Sequence, residues 1–229
     1  MNFLKILLIL LVITIALTAC NKPSFLCPGE AIEWVDLLMI DGVKYYQSRT
    51  NEYIPLDKGD SIGEVTFTMS DNACSDHVMK NGHAAYLPKG TTVHEVEGYP
   101  ASFMVLANDK VYLVEENKRA DTVEELYPIA DMVKKISIVS TIDGSELHTF
   151  SMSSQTTFLD AWMSLELEDR DKLYDNGSFE GEQMFLEILL KNGISMRVVY
   201  RVESNTFHLG AIGNDEIKAI LLNEKTNID

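Results

Sequence analysis

Cysteine, positive charge and long apolar runs are all scarce in this chain, and each scarcity excludes something. Three cysteines in 229 residues cannot knit a disulfide scaffold, so the fold must rest on an apolar core, for which the 46% hydrophobic content is ample. Nineteen Lys and Arg stand against 35 Asp and Glu, a formal net charge of −16. The acidity is even, −8 over residues 20–117 and −9 over 118–229. With no basic face there is no electrostatic footprint for a phosphate backbone, so nucleic acid is excluded as a partner. Solubility is the simplest account of such a surface. No internal repeat or low-complexity tract is present. Catalytic signatures are missing too: there is no Gly-x-Ser-x-Gly elbow, no His-Glu-x-x-His and no Ser-x-x-Lys. Gly210-Ala211-Ile212-Gly213 is too short for a P-loop or a dinucleotide fingerprint. The sequence calls for no cofactor.

What is there begins at the N-terminus. Lys5 supplies a positive start, Ile6 to Leu17 an uncharged apolar run, and Leu17-Thr18-Ala19-Cys20 closes it. The run is short of the ~20 residues a spanning helix needs, and Thr14 and Thr18 interrupt it. An ordinary secretory signal wants a small residue where Leu17 stands. The pattern resembles the lipobox of bacterial lipoproteins. That resemblance implies cleavage before Cys20, a diacylglycerol on its thiol, and lipid anchoring at the extracytoplasmic face of the cell membrane, at roughly 0.8 kcal/mol per buried methylene. Residues 1–19 are then a signal peptide, and 20–30, with Pro23, Pro28 and Gly29, a tether.

Strand signals dominate the rest. Two β-prone runs between Ile32 and Ser48 flank Asp41-Gly42, a hairpin dipeptide. Further strands are expected at Ile62–Met69, Thr91–Val96, Ser102–Leu106 and Val111–Glu115, the last two joined at Asn108-Asp109. Polar residues 116–122 read as a linker between a β-rich domain, 31–117, and an α+β domain, 123–229. Residues 122–135 read as a short helix interrupted near Pro128. Asp143-Gly144 and Asn192-Gly193 mark two more hairpins. Ser153 or Ser154 caps a helix running to about Leu167, Glu168–Glu182 is a polar loop, Thr206–Leu209 is a further strand, and Asn214 caps a last helix over Asp215–Leu222. The expected class is α+β, strand-rich, with two antiparallel β portions and a few packed helices.

Trp34, Asp41-Gly42-Val43 with Tyr45, Gly63 with Val65, and the segment Leu87-Pro88-Lys89-Gly90-Thr91 through Gly98-Tyr99 to Val111-Tyr112 are similar to uncharacterised lipoproteins of Gram-positive, Bacillus-like bacteria. The resemblance covers the first mature half at most, and implies no catalytic residue.

Candidate chemistry is sparse. Setting aside Cys20, the pair Cys27 and Cys74 is a candidate disulfide, expected in an oxidising compartment and worth about 4 kcal/mol on the loop-entropy account. Cys74, His77, Met79 and His83 form the densest set of soft ligands, of the kind that holds Cu or Zn, though their spacing matches no known zinc pattern and oxidation of Cys74 removes the best donor. Glu166, Glu168, Asp169, Asp171, Asp175 and Glu180 invite a calcium reading, but Leu173 and Tyr174 stand where an EF-hand loop needs an oxygen ligand and Gly. His148 and His208 lie in expected strands and read as structural residues. The reading favoured is a membrane-anchored, non-catalytic binding or interaction module of the cell envelope, contacting another envelope protein or a small ligand. The alternatives are a metal-binding lipoprotein using Cys74, His77, Met79 and His83, and an envelope hydrolase with scattered acidic catalytic residues.

Overall fold

The computed structural model describes residues 33–50 and 54–228; the signal segment, Cys20, the tether and Cys27 lie outside them. The fold is a strand-rich α+β arrangement of two sheets, antiparallel except for one short pair. No helix among the described residues is long and apolar enough to cross a membrane.

The first sheet contains β1 (Leu37–Ile40), β2 (Val43–Gln47), β3 (Lys58–Glu64), β4 (Phe67–Thr68), β5 (His83–Ala84), β6 (Thr92–Val96), β7 (Met104–Ala107) and β8 (Lys110–Asn117), in the order β3-β6-β7-β8-β2-β1-β5-β4. Its hairpins follow from local chemistry. Asp41 and Gly42 both take positive φ (50° and 74°), as do Asn108 and Asp109 (50° and 58°), so each pair makes the two-residue turn whose twist suits adjacent strands. The register puts Leu38, Tyr45, Val114, Tyr112, Val105 and Val93 on one face, all buried. The sequence reads Ile62–Met69 as one strand, but the chain divides it at Val65-Thr66. Val65 N–H bonds Thr91 O beside β6, while Thr66 N–H bonds Gly82 O beside β5. Edge strands β3 and β4 are thus three Cα steps apart, at most about 11 Å, and the sheet must curl around its own core for its ends to come so close. A helical turn, α1 (Met69–Asn72), follows.

The second sheet contains β9 (Val133–Val139), β10 (Glu146–Thr149), β11 (Gln183–Leu190), β12 (Ser195–Arg201) and β13 (Thr206–Phe207), ordered β10-β9-β11-β12-β13. Residues alternate strictly between buried and half-exposed along β11 and β12, the period-2 signature of a sheet with one covered face. Helices α3 (Met152–Met163) and α5 (Asp215–Lys225) supply that cover: Phe158 and Trp162 of α3 lie against Phe207, which meets Tyr200.

Several local expectations are corrected. The Asp143-Gly144 turn is a wider loop, Ser140–Ser145, closed by Ser140 N–H to Ser145 O, because Asp143 Oδ1 accepts from both Ser145 N–H and its hydroxyl and so holds the chain in a side-chain turn. At Lys191-Asn192-Gly193 only Gly193 takes positive φ (92°), giving a three-residue loop. Helix α3 is capped by Ser151, two or three residues earlier than expected, and ends at Met163 because residues 165–167 pair with 121–123. The supposed loop 168–182 contains α4 (Arg170–Asp175), capped by Asp169. Asn214 caps α5 as expected, accepting from Ile217 N–H.

Strand β8 runs to Asn117, so the joining segment is 118–122, followed by α2 (Val123–Leu126). Tyr127, just beyond α2, stands edge-on to Phe103 of the first half and stacks on Trp162 of the second. One continuous cluster of buried side chains spans both sheets.

Candidate functional site

Of the sequence's soft-ligand set, the structure brings two members together. Phe67 and His83 are paired across β4 and β5, and the His77 ring stacks on both. His77 Nε2 and His83 Nδ1 lie 2.9 Å apart in a hydrogen bond, so one ring donates and the other accepts. Burial, then the neighbouring His77 and Lys80, hold the His83 pKa below the ordinary imidazole value. Cys74 is disulfide-bonded and carries no thiolate, while Met79 lies half-buried in the same loop. Among the described residues no group of three or more His, Cys, Asp or Glu side chains is placed to hold a metal ion. In the acidic run after α3, the Asp169 carboxylate caps α4 and the Glu166 backbone pairs with Thr122.

A groove runs across the first sheet where it meets the second. It consists of two depressions of about 350 and 320 Å³ that share Lys58, Leu106 and Asp109. The larger is walled by Leu56, Val111 and Ile194, the smaller by Thr92 and His94. Lys110 also reaches the groove, but its ammonium is engaged with Asp36 (3.1 Å) and Gln47 (2.9 Å), and Asp36 in turn accepts from the Tyr112 hydroxyl. His94 Nδ1 donates to Gly59 O at 3.2 Å, which fixes its ring beside the smaller depression.

Beyond the groove, the sheet junction gathers ionisable groups from several elements. Tyr46 of β2 and Glu115 of β8 come from the first sheet; Glu187 of β11, Arg197 of β12, Arg170 of α4 and His208 come from the second half. Arg170 pairs with Glu115 at 3.2 Å, and Arg197 pairs with Glu187 at 3.2 Å while lying over the Phe185 ring. The free margin of β12 is satisfied by side chains: Ser195 N–H donates to Thr50 Oγ1, and Val199 N–H to His208 Nδ1. Between them the buried Tyr46 hydroxyl faces Arg197 without closing a hydrogen bond of normal geometry. Burial, reinforced by Glu115 and Glu187, pushes the Tyr46 pKa up, and burial with Tyr46 and Glu115 does the same to Tyr127. His208 shifts down, chiefly through burial, with Arg170 opposing and Glu115 favouring protonation. Since Nδ1 accepts a backbone N–H, the neutral ring carries its proton on Nε2. The two phenols thus stay protonated and the imidazole neutral, so the Tyr46 and Tyr127 hydroxyls and the His208 Nε2–H are hydrogen-bond donors at the junction.

No family model matches the chain, and neither the curated proteins nor the solved structures contain a match.

The sequence reading reached His77 and His83 but missed the groove and the junction. Lys58, the Leu106–Asp109 hairpin and Ile194 lie in three separated segments with no common spacing, and His208 reads in the sequence as an isolated strand residue.

Proposed function

We propose that this protein is an extracytoplasmic lipoprotein, anchored through a diacylglycerol on Cys20, whose strand-rich fold is a non-catalytic binding module with its ligand site in the groove around Lys58, Leu106 and Asp109. The observation that carries the reading is the disulfide-bonded Cys74, which supports an oxidising, exported location for a chain that starts with the Leu17-Thr18-Ala19-Cys20 motif. Cys27 is the proposed partner, since Cys20 is committed to the lipid. The groove's volume falls in the range of small-ligand sites, and its mixture of apolar wall and a few charged groups is what such sites use for affinity and orientation.

Detergent phase partitioning with mass analysis of the N-terminal peptide tests the anchor. The native protein should enter the detergent phase with a lipid-modified Cys20, and Cys20→Ser should move it to the aqueous phase. An unmodified or differently cut terminus refutes the anchor. Thiol alkylation without reductant should leave both Cys27 and Cys74 unlabelled; label on Cys27 alone refutes the pairing.

A further inference from the structure

Two charged side chains of opposite sign face the middle of the groove with their charges unspent. Lys58, at the start of β3, and Asp109, held in the β7–β8 turn, are common to both depressions. Neither makes an ion pair to any described residue, the other included. Lys110, the other cation there, is already committed to Asp36 and Gln47. Beside this charged centre lies an apolar wall of Leu56, Leu106, Val111 and Ile194.

Each simple ligand class conflicts with part of this lining. An anion would meet Asp109, a cation would meet Lys58, and a neutral apolar molecule would leave both charges unmatched while displacing their water. A molecule with an ammonium and a carboxylate on one carbon, and an apolar branch from the same carbon, meets all three features at once. We infer that the groove takes a free α-amino acid with an apolar side chain, its carboxylate toward Lys58, its ammonium toward Asp109 and its side chain along the Leu106–Ile194 wall. The inference rests on the binding-module reading above and gives its ligand a chemical class.

The test is titration calorimetry of the full-length protein in detergent with three probes: L-leucine, N-acetyl-L-leucine, which lacks the ammonium, and L-leucinamide, which lacks the carboxylate. Leucine should bind, and each blocked analogue should bind about two- to fivefold more weakly, the scale of one exposed ion pair. Asp109→Asn should weaken leucine and leucinamide but leave N-acetyl-leucine unchanged; Lys58→Gln should weaken leucine and N-acetyl-leucine but leave leucinamide unchanged. Both side chains are exposed, so the variants should melt with the native protein, and melting curves separate lost binding from lost fold. Equal affinity for all three probes, loss patterns that ignore the charge removed, or no leucine binding each overturn the inference. If leucine fails but native mass spectrometry of protein from its host finds another small molecule that Lys58→Gln removes, the amino-acid assignment falls and the binding-module reading stands. If no small molecule is bound at all, both fall.

Discussion

Among the described residues, Glu224 is the charged residue most deeply withdrawn from water, at 2% exposure, and its partner decides what that costs. It lies near the end of α5, where its Oε2 accepts from His148 Nε2 at 2.5 Å. His148 sits on β10 with 22% of its side chain exposed, so the pair pins the last helix to the outer strand of the second sheet. His148→Ala leaves a buried side chain without the one hydrogen-bond donor shown for it. Losing one partner of a buried pair costs about 3–5 kcal/mol, and water reaching the vacated histidine site places this case near 3. Glu224→Gln removes the buried charge yet keeps an amide that can bond the ring, so about 1 kcal/mol is expected. Replacing both residues by Leu removes charge and partner together and should return to within about 1 kcal/mol of the native protein. Urea unfolding followed by tryptophan fluorescence reads the series, and His148→Ala should lower Tm by about 6–12 °C at this chain length. The reasoning is refuted if Glu224→Gln proves more damaging than His148→Ala, or if the double Leu variant is the least stable of the three.

Trp162 is fully buried among Tyr127, Phe158 and Phe207, so Trp162→Ala should cost about 3–5 kcal/mol in urea unfolding. Trp162→Phe should cost far less, because the phenyl ring keeps most of the packing against these neighbours while both variants delete an indole N–H that has no partner among the described residues; equal losses would refute the packing role given to the ring. His208 is harder to protonate in the fold than in the unfolded chain. Its contribution is therefore complete above about pH 6.5 and is lost as pH falls, when the unfolded chain takes up a proton the fold resists. His208→Asn keeps an acceptor for Val199 N–H and should flatten the stability profile below about pH 6.5; an unchanged slope refutes the assignment. A Cβ on Gly210, at φ 104°, would stand 2.8 Å from the Glu168 backbone carbonyl, whereas one on Gly90, at φ 91°, meets nothing within 4 Å. Gly90→Ala should cost about 1 kcal/mol and Gly210→Ala at least twice that, and equal melting temperatures for the two variants would contradict the contact.

The class of fold was legible in the sequence because its signals are local. Alternation along Met184–Leu190 and Ile194–Arg201 specifies a strand pair with one covered face whatever lies above it, and Asp41-Gly42 or Asn214 needs only its immediate neighbours to turn or cap the chain. Local reading failed where tertiary pairing competed: Ile62–Met69 broke into two strands because opposite ends of one sheet claimed its halves, and α3 stopped short because residues 165–167 pair with 121–123. The disposition of chemistry was harder still to read. His77 and His83 could be linked because six residues separate them, but Glu115 and Arg170 are 55 apart and His148 and Glu224 are 76 apart. Composition and the Leu17–Cys20 motif by themselves determined an acidic chain with an expected lipid address; only the strand order of the first sheet decided that Lys58 and Asp109 share a groove, and only packing of the two sheets that Tyr46 is buried and that His208 resists protonation. Strand and turn preferences act over a few residues, whereas a groove or a shifted pKa is the sum of distances between segments that the chain leaves independent until the core closes.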